Sequence, residues 1–540
     1  MNRSENLFSV FLLIGLLSFT FTSLAFIPSI NPTPGNNSDH ELIFTIPVGE
    51  KGIHYAGEGN PDVLTWGPAA FTIAPDGSFW IADSAISQLL HFSSNGTMIE
   101  RINVGDFVIG AGDLEVSTQW IWILDTASIP PKIVRLALDG NLTARFDLPA
   151  GLRLVDGLSG LAIGGNGEIL VERGGGVDIS QFINAQGMLE PRRLDGYPFY
   201  DKIYSAHPAD LKSSDRSRGE ILAGGNRVNV SVTYDLGGLR FLDVLPEGDF
   251  FVIVEELVVN PALQVDLTVR RYNDSGEWLG TARFPLSSQF TYVSQGLALG
   301  SNGEVYALIT RPGHAEIWRL ILSDNLPPIL SKPKSQTPDN VLANQGSSLL
   351  TCRSRDSMIS AGEDYINNSV YLDSYHINDP SNECSGRTKP HYLSASGYYS
   401  SVPYDWGGGD AIDLFNGYMD DSGKFAGDIN TASEEGCSRG VDCAGFVSNA
   451  WALGTRYGTC QLENYSCALD STGDLLRGDI MNHCNLHTIL FSDFYGSGMV
   501  GYESTTYLNY DRVVFTYRSF SSIDDYTPRR YTDVCDNECP

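Results

Sequence analysis

One pattern constrains this chain more than any other. Four times an apolar run, a turn ending in glycine and a second apolar run follow one another. The copies are AAFTIAPDGSFWIAD (69–83), SGLAIGGNGEILVER (159–173), LRFLDVLPEGDFFVIVEE (239–256) and QGLALGSNGEVYALI (295–309). The turn glycines are Gly77, Gly167, Gly248 and Gly303. Asp-Gly and Asn-Gly between β-type runs predict two-residue hairpins, because the turn needs a positive φ. Most copies carry a second turn, at Asn95-Gly96, Asp139-Gly140, Gln186-Gly187 or Ser275-Gly276. Four strands per copy is the content of one propeller blade. The two wider gaps between turn glycines each have room for a degenerate unit, around Trp120-Ile121-Trp122 and around Gly219 to Val232. The expectation is an all-β propeller over 59–325 with six blades, alternatively five, against a β-sandwich with extra strands. Histidines 54, 91, 207 and 314 are scattered, and no carboxylate pair repeats, so this half reads as a binding or spacing module.

The first copy, GPAAFTIAPDGSFWIADSAISQLLHFSSNG, resembles the NHL propeller repeat, which implies the propeller fold and no particular function. The charge balance excludes one class of partner. Of 540 residues, 65 are acidic and 35 basic, a net charge of −30, so nucleic acid, which needs a basic face, is not expected. With 42% hydrophobic and 19% charged residues, neither disorder nor coiled coil is the main state.

The compartment follows from two features. LFSVFLLIGLLSFTFTSLAF (7–26) is uncharged, follows Arg3 and ends in small residues, as a signal peptide cleaved after Ala25 does (1–25). The same length suits an uncleaved membrane anchor, the one route by which this chain is expected to touch a membrane. All nine cysteines lie beyond residue 351. That step in composition marks two domains, joined by the proline-bearing linker 326–348, with another linker at 26–58. Outside the cytoplasm cysteines pair, and an odd count leaves one thiol over. Spacing leaves the connectivity open. The protein is expected to be secreted, or membrane-anchored where that segment stays uncleaved.

The second half, 349–540, carries the chemistry. It opens with a helix around Met358, Ile359, Ala361, Tyr365 and Ile366. In RGVDCAGFVSNAWALG (439–454), Asp442 is a good N-cap, and Phe446, Val447, Ala450 and Trp451 form an apolar face. Gly454 is placed to stop this helix. Cys443 then sits in the first turn, where the unpaired amides favour a thiolate and depress its pKa. The alternative is one more disulfide partner. A nucleophilic cysteine needs a base. His487 opens the strand HTILF, while His483 is a rival in the connecting loop. A hairpin centred on Gly496 places Glu503 opposite residue 489, on the face of His487. Glu503 could otherwise be a solvated edge carboxylate.

The order Y-x-W-G-G (404–408), D-C-x-G-F-V (442–447), G-D-I (478–480) and H-T (487–488) resembles the NlpC-type cell-wall peptidases over about 350–520. That resemblance implies an α+β papain-like cysteine hydrolase acting on peptidoglycan stem peptides. It implies Cys443 as nucleophile, His487 as base, Glu503 as the third polar residue, and Tyr404 with Asp442 beside the thiol, near substrate or oxyanion. No metal and no cofactor are expected. Three departures stand out. An acidic insertion, about 411–438, separates Tyr404 from Cys443, and is expected to be a solvated loop, a lid or a weak Ca²⁺ site. The third position holds glutamate, as in the related CHAP amidases, and the domain is rich in cysteine. Three functions follow: a wall endopeptidase or amidase with a propeller targeting module, a binding protein with a spent hydrolase domain, or the same triad used for acyl transfer or on non-wall amides.

Overall fold

The computed structural model describes residues 40–148, 157–199, 201–331, 352–421, 423–536 and 539. The signal or anchor segment, residues 26–39 of the first linker and 332–348 of the second lie outside these residues.

Among the described residues, six four-stranded antiparallel sheets follow one another in the N-terminal half, a propeller-like all-β region. They span 70–103, 111–147, 158–194, 197–231, 235–283 and 297–320. The degenerate stretches supply the second and fourth. The sixth sheet takes its outer strand, Glu41–Pro47, from the chain's start. Part of the expected linker 26–58 is therefore structural: this strand covers an edge that would otherwise stay open. The first and sixth sheets meet again where Ala70 bridges Gln295. Apolar clusters join successive sheets, such as Trp80, Leu89, Leu114 and Ile123 between the first and second.

The turns differ from the two-residue hairpins expected. Gly77 N–H donates to Ala74 O at 2.8 Å, and Ala74 N–H to Ser78 O at 2.9 Å. The loop is thus three residues, with Gly77 at φ 82°, a type I turn closed by a glycine bulge. Gly167, Gly248 and Gly303 repeat the bond three residues back.

The C-terminal half is helical at first, then sheet. Helix α1 (Arg355–Asn367) starts on a Ser354 cap, and α2 (Ile412–Tyr418) lies in the acidic insertion. That insertion is not a solvated loop. It holds α2 and a parallel pair, Phe425–Ala426 with Ser438–Arg439, and is tied down by the Cys384–Cys437 disulfide. Its Asp428 is buried, accepting from the backbone N–H of Thr388 and of Asn430, both at 2.8 Å. Helix α3 (Cys443–Ala450) is the central helix. Gly454 does not stop it. The helix ends four residues earlier, where Ala452 turns left-handed at φ 59° after the C-cap Trp451, whose N–H still bonds Val447 O. Its indole donates to Gly478 O at 3.0 Å and stacks on Tyr531.

Strands β1 (Ser466–Ala468), β2 (Ile480–His483), β3 (His487–Phe494), β4 (Gly498–Thr505), β5 (Arg512–Ser519) and β6 (Thr527–Tyr531) form one antiparallel sheet. Its order is β1-β6-β2-β3-β4-β5. Helices α1 and α3 pack on it around Met358, Phe446, Val447, Leu490 and Tyr502. The other face shares a core with the propeller-like region, where Met481, Ile489, Phe491 and Phe520 pack with Phe251, Leu267 and Ile309.

Candidate functional site

Eight cysteines form four disulfides, Cys352–Cys535, Cys384–Cys437, Cys460–Cys484 and Cys467–Cys539. Cys443 is the free one. It is the first residue of α3. Asp442 caps the helix, its Oδ1 accepting from Gly445 N–H at 2.7 Å. The other carboxylate oxygen accepts from Gly407 N–H at 3.1 Å and from Arg456 Nε at 2.9 Å. Gly407 belongs to the Tyr-x-Trp-Gly-Gly segment, so the cap also pins that segment to the helix start.

The expected lowering of the thiol's pKa is not found. Burial pushes the Cys443 thiol well above its ordinary value, and the charges of Asp442 and Asp62 add to it; Arg456 and the backbone N–H of Thr488 oppose them. The helix end cannot offset full desolvation of the sulfur, which is 0% exposed. Thr488 follows His487, so the sulfur lies against the start of β3. Tyr404 is also buried at this point. Its hydroxyl is raised first by burial and then by the neighbouring Cys443 and Asp442.

His487 and Glu503 meet. Leu490 lies opposite Tyr502, and one step along this ladder sets residue 489 against Glu503. His487 Nε2 is 2.6 Å from Glu503 Oε2, with both side chains buried. Glu503 is no solvated edge group. Arg518 donates to it through Nε at 2.9 Å and Nη2 at 2.7 Å, and Thr516 donates its hydroxyl. Burial pushes the Glu503 carboxyl up, but Arg518 and the His487 hydrogen bond outweigh it and hold it below the usual carboxylate range. His483 is not in a loop. It ends β2 opposite His487, with Nδ1 on Cys484 O at 3.0 Å and Nε2 3.6 Å from Asp525.

Four residues of this site escape a reading of the sequence. Thr516 and Arg518 face Gly501 and Met499 across the β4–β5 ladder, on the side of Glu503. A register count over the second hairpin could have found them. Arg456 has no motif. Asp62 comes from the other half of the chain: its backbone carbonyl accepts from the Cys443 thiol at 3.7 Å.

Among the described residues, Cys384, Glu435 and Cys437 gather closely enough to hold a metal ion, but their sulfurs are bonded to each other. The arrangement around Cys443 has the parts of nucleophilic acyl chemistry: a thiol at a helix start, and an imidazole oriented by a clamped carboxylate.

No protein-family model and no curated protein matches the sequence. Among solved structures, a streptogramin B lyase is similar at 16% identity, with a TM-score of 0.31, over 50% of this chain and 97% of that one. Virginiamycin B lyase from Staphylococcus aureus is similar at 13%, TM-score 0.28, over 50% and 99%. A member of the DUF4221 family from Bacteroides vulgatus is similar at 11%, TM-score 0.34, over 53% and 99%. Scores this low carry no argument, and the six-sheet arrangement rests on the hydrogen-bond ladders of this chain.

Proposed function

We propose that the protein is a secreted cysteine hydrolase with a papain-like, NlpC-type C-terminal domain, cutting amide bonds in peptidoglycan stem peptides. The propeller-like half serves as its binding module. The observation that carries this reading is the single unpaired cysteine, at the capped start of a buried helix and against the strand that His487 opens. The motif order from Tyr404 to Thr488 supports the substrate class. Four disulfides fit an oxidising, extracellular setting.

In this reading His487 takes the thiol proton. Glu503 already holds Nε2, which leaves Nδ1 for the task. Cys443 attacks the carbonyl carbon, and backbone amides at the start of α3 with Tyr404 meet the oxyanion. Protonated His487 then gives its proton to the leaving amine, and water releases the thioester.

Release of stem-peptide fragments from purified wall peptides by the full chain, with Asp62 intact and as Asp62→Ala, is the test. Cys443→Ala should lower the rate by about 10⁴-fold or more. No cleavage by either form sinks the hydrolase. One observation favours a second reading, a binding protein with a spent domain: the thiol is fully buried, and burial pushes its pKa up.

A further inference from the structure

Besides the core of its own domain, the Cys443 sulfur is covered by a segment from the other half of the chain. Residues 57–65 form a loop closed at its base by the pairing of Ala56 with Trp66, through bonds of 2.8 and 3.0 Å. Trp66 packs with Ala69, Tyr507 and Leu508, which seats the loop on the C-terminal domain. From this base Asn60, Pro61 and Asp62 run into the site. Asn60 Nδ2 donates to Thr431 Oγ1 at 2.8 Å, and Trp406 Nε1 donates to Pro61 O at 3.3 Å. Asp62 makes the deepest contacts. Its carbonyl accepts from the Cys443 thiol at 3.7 Å, and its N–H donates to Asn485 O at 3.1 Å. Its carboxylate accepts from Thr459 N–H at 3.1 Å, from the Thr459 hydroxyl, and from Arg456 Nη2 at 3.4 Å.

The cradle is built independently of Asp62. The Cys460–Cys484 disulfide joins the residue after Thr459 to the residue before Asn485, and Asn485 N–H donates to Thr459 Oγ1 at 2.8 Å. Arg456 is fixed by Asp442, the cap of the cysteine's own helix. Carboxylate recognition and nucleophile therefore share one rigid frame.

We propose that Asn60–Asp62 is a built-in occupant that closes the site, and that the place Asp62 holds is a subsite for a carboxylate-bearing substrate residue. This rests on the hydrolase reading for the word substrate, but the closure itself does not. Asp62 is a blocker and not a peptide awaiting cleavage: its φ of 56° is left-handed, whereas a peptide laid along a cleft for attack is extended. Its carbonyl oxygen accepts from the thiol, and no bond to the carbonyl carbon is made.

The experiment is alkylation of the unreduced full chain by iodoacetamide, with the label mapped to Cys443. The eight disulfide sulfurs do not react, and Cys443→Ala gives the blank. Asp62→Ala should label at least about tenfold faster than the parent, since the parent must open locally before it reacts. Asn60→Ala with Pro61→Gly loosens the strap from its exposed side and should act in the same direction. It serves if Asp62→Ala does not fold, which its melting curve reports. Equal labelling in a variant that melts with the parent overturns the strap. In the opened variant, N-acetyl-aspartyl amide should slow labelling where N-acetyl-asparaginyl amide does not; equal protection overturns the carboxylate subsite. A variant that labels fast yet cleaves no wall peptide keeps the strap and removes the hydrolase.

Discussion

Glu503 shows how one side chain can serve two ends. It is fully buried, and a charge there survives because Arg518 answers it with a two-pronged contact while Thr516 and His487 each bond one of its oxygens. Glu503→Gln leaves Arg518 buried without its counter-charge, and should lower stability by about 3 kcal/mol or more in urea unfolding. The same group sets an acid limit. Its folded pKa lies below the unfolded value, so its contribution is present above about pH 4 and lost as pH falls through the folded value. The parent should therefore lose stability on acidification faster than Glu503→Gln. Hairpin counting places this carboxylate beside His487, but its clamp depends on β5, one strand further on.

Among the elements, the hairpin turns and α3 behave differently. A methyl added at Gly77 would meet nothing within 4 Å, yet its φ is 82°. Gly77→Ala is therefore a test of backbone conformation alone, and should cost about 1 kcal/mol in thermal or chemical unfolding. No loss would mean the turn relaxes to another type. The glycine phrase made these turns legible, because a positive φ is a local demand that one residue type meets. The start of α3 is legible for a similar reason, since Asp442 and the Gly445 amide are three residues apart. Its end is not. Ala452, not Gly454, takes the left-handed turn, and the C-cap Trp451 before it reaches Gly478 and Tyr531, partners 27 and 80 residues away, which no cap rule anticipates.

At the scale of the molecule the two halves are not beads on a linker. Leu239 and Ser497 exchange hydrogen bonds, 3.1 Å from the Leu239 N–H and 2.8 Å to its carbonyl, and Arg512 donates to Ala127 O at 2.9 Å. With the shared apolar core, this predicts that 349–540 made alone exposes Met481, Ile489, Phe491 and Phe520. The fragment should bind a hydrophobic dye and unfold at lower urea than the full chain; a fragment as stable as the parent domain would show that the shared core contributes little. Inside the propeller-like ring, Asp113, Glu115, Glu172 and Asp243 line one cavity with Arg240. Burial pushes Asp113 up to about 8, Glu172 to about 7 and Asp243 to about 6. Their folded values stand above the unfolded value near about 4, so the folded state holds extra protons between about pH 4 and 8. Their contribution is full below that window and lost as pH rises through the folded values. The melting temperature should fall across this range, and Glu172→Gln should flatten the decline; an unchanged slope would mean that Glu172 does not titrate there.

The sequence alone determined what is local or periodic: the repeating sheets, the helix cap under Cys443, the odd cysteine and the hairpin that sets Glu503 opposite residue 489. Each follows from bonds within a few residues or from a two-residue alternation that composition reveals. Tertiary structure alone decided the rest: which sulfurs join, the gathering of carboxylates from three sheets, and the seating of Asp62 on Cys443. Those depend on desolvation and on contacts beyond the reach of local rules, from 24 residues apart for Cys460 and Cys484 to 381 for Asp62 and Cys443. Only the closed fold brings such groups together, and the loss of water there shifts the thiol's pKa opposite to the expected direction.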